Sequence, residues 1–171
     1  ILVVELRADD AESLAKQAQE VEKAMRAAGL GYHFPYVTGG DVKKVWDLRK
    51  AGLGLLSNLP GDEKAVAVIE DTAVDVNDLP AFIAEFNEIL TANNLYCVHY
   101  AHAGSGELHL RPIINLKTEE GHKQFRHIAE EIARLVKKYQ GSLSGEHGDG
   151  RLRGEFIPWM VGEANYQLMR A

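Results

Sequence analysis

Apolar residues recur along this chain with two periods in turn, one near 3.6 residues and one of 2, and the alternation divides it into helices and strands. The opening Ile1-Leu2-Val3-Val4-Glu5-Leu6 is β-prone and predicts a strand. From Asp9-Asp10 onward, Leu14, Ala18, Val21, Met25 and Ala28 return at helical spacing, with Gly29 where a C-cap belongs. Tyr32 to Val37 predicts a second strand, which Gly39-Gly40 breaks, and Val42, Val45, Trp46, Arg49 and Leu53 predict a second helix.

Lys64 to Ile69 predicts another strand, and Asn77 or Asp78 with Pro80 marks the start of a helix carrying Phe82, Ile83, Phe86, Ile89 and Leu90. Leu95 to Ala101 and Glu107 to Asn115 flank Gly104-Ser105-Gly106 and predict a hairpin. Thr118 should cap a helix that turns Phe125, Ile128, Ile132, Leu135 and Val136 inward. A glycine-rich loop, Gly141 to Gly150, precedes one closing helix with Ile157, Met160, Val161, Ala164 and Leu168. Helices returning between strands predict an α+β fold: a ferredoxin-like α/β sandwich with an antiparallel sheet covered by helices, an element order that leaves room for duplication. Residues 57–63, Ser-Asn-Leu-Pro-Gly-Asp-Glu, are the best seam between halves.

Composition adds exclusions. The 171 residues are 46% hydrophobic and 26% charged, ordinary for a globular domain, and the net charge of −6 comes from interleaved acids and bases. No basic footprint for nucleic acid or an anionic membrane results. Cys97 is the only cysteine, so an internal disulfide and a multi-cysteine metal site are ruled out, and a reducing, cytoplasmic setting is expected. The first apolar run is too short to span a bilayer, so no transmembrane segment is expected. The absence of an initiator Met and the uncapped final helical pattern predict a single domain, residues 1–171, cut from a longer polypeptide.

The candidate chemistry lies in two glycine-framed clusters. A tight turn centred on Ser105-Gly106 would set His102 directly opposite His109, a pairing with Cβ atoms roughly 4.5–5.5 Å apart. Two imidazoles at that separation can converge on one ion at about 2.0–2.1 Å per bond. Glu107 and Arg111 fall on the same strand face as His109. In the second cluster four glycines in ten residues imply unusual dihedrals or a close approach to something seated there. Glu146 offers a third, hard oxygen ligand, and the adjacent His147 is suited to general-base work near neutral pH. Three protein ligands leave a catalytic ion with a position open to substrate.

Plainer readings stand beside these. His102 and His109 are alternatively a polar cross-strand pair, Glu146-His147 a solvated turn, and Arg49 a surface residue. His33, His99, His122 and His127 are read as structural, the last two on the outward face of their helix, and Trp46 and Trp159 as core. Two other function classes use the same residues. One is a metal-dependent hydrolase with Glu107 or Asp149 as base; the other is a non-catalytic ferredoxin-like assembly module.

The segments His102-Ala103-Gly104-Ser105-Gly106-Glu107-Leu108-His109 and Gly141-Ser142-Leu143-Ser144-Gly145-Glu146-His147-Gly148-Asp149-Gly150 resemble the paired His-x-Gly-x-Gly-x-x-His and Gly-Glu-His-Gly motifs of the FAD-linked oxidase C-terminal domain. That family includes glycolate oxidase D subunits, D-lactate dehydrogenases and D-2-hydroxyglutarate dehydrogenase. Trp46-Asp47-Leu48-Arg49 looks like its helix with a substrate-facing arginine, and Glu70-Asp71-Thr72-Ala73-Val74-Asp75-Val76 like its strand-to-loop segment. The resemblance implies a flavin-dependent dehydrogenase of small 2-hydroxyacids. His102, His109 and Glu146 match divalent-metal ligands, usually assigned to zinc; His147 matches the residue that takes the hydroxyl proton; Arg49 matches a carboxylate partner, a role that Arg111 also suits. It further implies FAD held mainly by a flavin-binding domain absent here, so that the isolated chain should be inactive. Arg111 stands where the D-2-hydroxyglutarate enzyme has asparagine, and a lysine for the distal carboxylate is replaced near Ile69, which leaves the substrate open. The first motif is closest to proteins fused to an iron–sulfur reductase portion, so an iron–sulfur acceptor is a further expectation.

Overall fold

The computed structural model describes all residues from Ile1 to Ala171, and its backbone separates into two compact units, Ile1–Arg49 and Lys50–Ala171. The division falls inside a helix, not at the 57–63 seam. The helix runs without interruption through that point, past Gly52 and Gly54, so no break in secondary structure marks the division.

The first unit contains α1 (Ala11–Ala27) and most of α2 (Asp41–Ser57). The Asp10 carboxylate caps α1 by accepting from the Ser13 N–H at 2.7 Å. Neither Ile1 to Leu6 nor Tyr32 to Val37 forms a strand. β-prone side chains make a strand only where another strand takes up their backbone groups, and within this unit none does. No residue of the unit is buried, and polar contacts such as Trp46 Nε1 to Glu5 Oε2 at 3.0 Å link its segments. Trp46 is therefore half-buried, not core. With no strand here, the chain contains no duplicate of the arrangement that follows.

The second unit is built around β4 (Glu107–Ile114), which pairs antiparallel with β3 (Cys97–His102) on one side and with β1 (Lys64–Ala65) and β2 (Thr72–Ala73) on the other. Ala73 bridges in turn to Ser142. Taking β1 and β2 as one interrupted strand, the order of elements is strand, α3 (Leu79–Ala92), β3, β4, α4 (Glu119–Lys138), and a last strand reduced to the Ser142 bridge. That is the ferredoxin-like order, with the first and third strands adjacent at the centre. Leu108, Leu110 and Ile114 of β4 face Phe82, Phe86 and Leu90 of α3 and Ile128, Ile132, Leu135 and Val136 of α4 in a single core. Thr118 caps α4 by accepting from the Gly121 N–H at 3.0 Å, as its position predicts. No helix is long and apolar enough to cross a membrane.

The first strand is interrupted by a bulge. Between the pairs Ala65↔Ile113 and Thr72↔Leu108 the chain takes seven steps against five along β4. The excess is absorbed in a turn closed by Glu70 N–H to Ala67 C=O, and Asp71 takes a left-handed φ of 76°. Bulges re-aim side chains, and here Glu70 and Asp71 are carried to the sheet face opposite the helices.

The expected closing helix is divided. α5 (Gly150–Arg153), α6 (Ile157–Val161) and α7 (Glu163–Arg170) replace it, with Gly162 at φ 82° between the last two. A residue in that conformation cannot continue a right-handed helix. Trp159 is 41% exposed, so the core assignment fails there as well.

Gly106 ends the hairpin loop at φ 75°, and a Cβ placed on it would lie 1.9 Å from the Val74 carbonyl oxygen. Gly106→Ala should lose about 2–4 kcal/mol from combined backbone strain and overlap, read as a lower urea midpoint with unchanged slope.

Candidate metal and substrate site

The hairpin loop sets the first half of the site. It is a 3₁₀ turn, Ala103–Ser105, followed by left-handed Gly106, so four residues connect the strands instead of two. The register therefore differs from the expected one: His102 pairs with Glu107, and His109 pairs with Tyr100. Because the slip is an even number of residues, every side chain keeps its face. His102 and His109 still meet, diagonally, with ring centroids 5.2 Å apart at an interplanar angle of 78°.

His109 is only 3% exposed and sits among carboxylates. Its Nε2 lies 3.4 Å from Glu107 Oε1 and 3.7 Å from Glu146 Oε1, while Nδ1 lies 3.5 Å from Glu70 Oε1. Glu70 is held by the Arg111 guanidinium at 2.5 Å and by the Tyr100 hydroxyl at 3.1 Å. A carboxylate behind a histidine orients the ring and leaves the other nitrogen for a cation. Burial pushes the His109 pKa down, with the charge of His102 adding to it, which favours the neutral ring a ligand needs.

The glycine-rich loop brings the second half. Asp71 is fully buried. Its carboxylate accepts from the Ser144 hydroxyl at 2.5 Å, the Glu146 N–H at 2.9 Å and the His147 N–H at 2.9 Å, while its own carbonyl accepts from the Gly145 N–H at 2.7 Å. Arg153, also buried, donates to the carbonyls of Glu70 and Gly148. Glu146 is thereby placed with Oε1 4.0 Å from His102 Nε2 and 3.1 Å from His147 Nε2. His147 stacks on His109 with centroids 5.6 Å apart and keeps half its side chain exposed. The expectation that the glycines make room for something seated in the loop changes at Gly145. What approaches it is protein: a Cβ there would meet Glu107 Cγ at 3.0 Å.

One potential ligand atom from each of His102, Glu107, His109 and Glu146 lies within 4.8 Å of all the others. Bonds of about 2.0–2.2 Å in a tetrahedron put ligand atoms about 3.4 Å apart, close to the separations found. Glu107 Oε1 is buried without a hydrogen-bond partner, a loss of about 1–3 kcal/mol for an unpaired acceptor that a cation would offset. Burial, then Asp71 and the charge of Glu146, raises the Glu107 carboxyl to about 7. The residues present therefore fit a divalent ion.

The remaining candidates are less gathered. Arg111 reaches this face but is paired with Glu70 and only 17% exposed. Arg49 is half-buried on α2 at the end of the first unit, outside the unit that carries the cluster. His122 and His127 are exposed as expected, and His99 bonds the Cys97 carbonyl and Asn87 Oδ1. Asp71, Glu70 and Arg153 were not singled out from composition or spacing. The available signal was a pair of acids directly after the apolar run Ala65 to Ile69.

A family model described as FAD linked oxidases, C-terminal domain, matches residues 1–171. The chain belongs to this family. A D-2-hydroxyglutarate dehydrogenase of Haemophilus influenzae is 38% identical over 109 residues, covering 64% of this chain and 11% of that protein. One from Pseudomonas putida is 36% identical over 129 residues, 75% of this chain and 13% of that protein. A mitochondrial D-lactate dehydrogenase [cytochrome] of Arabidopsis thaliana is 24% identical over 161 residues, 93% of this chain and 28% of that protein. The chain thus spans between a tenth and a third of the length of these relatives.

Burial works to raise the Asp71 carboxyl, but the Ser144, His147 and Glu146 donors outweigh it and hold the group at about 2 instead of 3.8. A depressed folded pKa stabilises above the unfolded value and ceases to as pH falls through the folded one. Stability from this group should be complete above about pH 4 and lost toward pH 2. Urea midpoints measured across that window should fall in the wild type, with this component absent from Asp71→Asn.

Proposed function

We propose that this chain is the substrate-capping, metal-binding domain of a flavin-dependent dehydrogenase that oxidises a small 2-hydroxyacid of the lactate, glycolate or 2-hydroxyglutarate kind. The observation that carries the reading is the convergence of His102, His109 and Glu146 beside an exposed, stacked His147, in a member of the FAD-linked oxidase C-terminal family. The hydrolase alternative has no such support, because Glu107 is buried and Asp149 is outside the cluster.

In this reading His102, His109 and Glu146 would hold a divalent ion, with Glu107 adjacent, and the mixed nitrogen and oxygen donors suit zinc. When bound, such an ion supplies Lewis-acid polarisation of the substrate hydroxyl. FAD, carried by a flavin-binding domain of the same polypeptide, supplies the hydride acceptor. The chain's own residues do the rest. His147, half exposed beside Glu146, accepts the hydroxyl proton on its imidazole. Arg111, its guanidinium fixed by Glu70, neutralises the substrate carboxylate, the task the family resemblance also gives to Arg49. The His147 ring, stacked on buried His109, is the exposed member of the pair. An iron–sulfur portion as electron acceptor and a cytoplasmic setting complete the proposal.

The test is His147→Ala in the complete flavoprotein. Turnover should fall by about 10²–10⁴-fold, with the fold intact and zinc still bound, since the ring is half exposed and is not one of the proposed ligands. Unaltered turnover would reject the role.

A further inference from the structure

The loop Ser144 to Gly148 carries two candidate site residues and has no regular secondary structure to hold them. Glu146 and His147 are each about half exposed, so core packing does not fix their positions. The loop is anchored instead by hydrogen bonds that converge on the first-strand bulge. Three donors, Ser144 Oγ–H, Glu146 N–H and His147 N–H, meet the two oxygens of Asp71. Gly145 N–H meets the carbonyl of the same residue, and the Arg153 guanidinium closes the far side through Gly148. Hydrogen bonds to an ionised acceptor are roughly twice as strong as neutral ones. These lie where water cannot compete, because Asp71 is 0% exposed.

We propose that Asp71 is the positioning residue of this site: its buried carboxylate sets the backbone of Glu146 and His147 so that one side chain reaches the hairpin histidines and the other lies over His109. It acts through the loop and touches no substrate. Asp71 is not counted as a ligand, since both its oxygens already accept hydrogen bonds. The inference rests on the metal site proposed above, and it assigns the course of that site's loop to a residue more than seventy positions before Glu146 and His147. The left-handed φ of 76° belongs to the same device. Asp and Asn tolerate that conformation better than other residues with side chains, so Asp71→Asn leaves the backbone unstrained. It replaces one acceptor oxygen with an amino group that faces a donor.

The experiment uses the full 171-residue chain as wild type, Asp71→Asn and Ser144→Ala. Zn²⁺ affinity is measured by competition with a chromophoric chelator, and amide hydrogen exchange is followed without metal. For Asp71→Asn the Zn²⁺ dissociation constant should rise about 10–100-fold, and exchange at Glu146 and His147 should quicken at least about tenfold. The Leu110 amide in β4 should keep its protection. Ser144→Ala removes one donor of three, and its dissociation constant should rise about threefold or more. Loss of thermal stability alone, with Zn²⁺ affinity and loop exchange as in wild type, would overturn the proposal. If Asp71→Asn does not fold, an unchanged dissociation constant in Ser144→Ala overturns it. A folded wild type that binds no Zn²⁺ sinks the metal site itself, and the exchange data then decide whether Asp71 orders the loop.

Discussion

A buried carboxylate with too few partners is among the most unfavourable groups a small domain can contain, and Asp71 is tolerated because three donors and a nearby arginine converge on it. That requirement couples two parts of the chain. The bulge in the first strand would bury an unpaired charge without the glycine-rich loop. The loop, in turn, would have no fixed course without the bulge. The site is thus assembled by the same interactions that make the bulge tolerable.

The sheet divides labour between its faces. Even-numbered residues of β4, Leu108, Leu110 and Ile114, close the core with α3 and α4, while Glu107, His109 and Arg111 form a charged surface behind which the whole helical layer is packed. Arg111 is paired with Glu70, His109 Nδ1 lies beside the same carboxylate, and Glu107 Oε1 is left without a hydrogen-bond partner among groups that suit a cation. The strands carry His102, Glu107 and His109, and a tethered loop carries Glu146 and His147.

Membership of the FAD-linked oxidase C-terminal family accords with this economy. In the proposed reading a flavin would supply the redox step, and this domain would have only to orient a small hydroxyacid, neutralise its carboxylate and receive a proton. The gathered residues are of the types those tasks need.

Helices and hairpin were legible in the chain because their causes are local: the Thr118 cap, Pro80 at a helix start, apolar spacing in α3 and α4, and alternation in β4. The candidate residues His102, His109, Glu146 and His147 were legible because glycine framing and residue type are written in sequence. The strands at Ile1 to Leu6 and Tyr32 to Val37 were not, since strand formation depends on a partner and not on propensity. Nor was the hairpin register, which depends on whether the connecting loop spends two residues or four. Asp71, Glu70 and Arg153 act only through contacts with distant segments, and no local pattern distinguishes a buried anchor from a surface acid. What the amino acids determined alone was which chemistry is available and which face of each element bears it. Only tertiary structure decided where those groups meet, because convergence is a property of pairings between segments that the chain order does not contain.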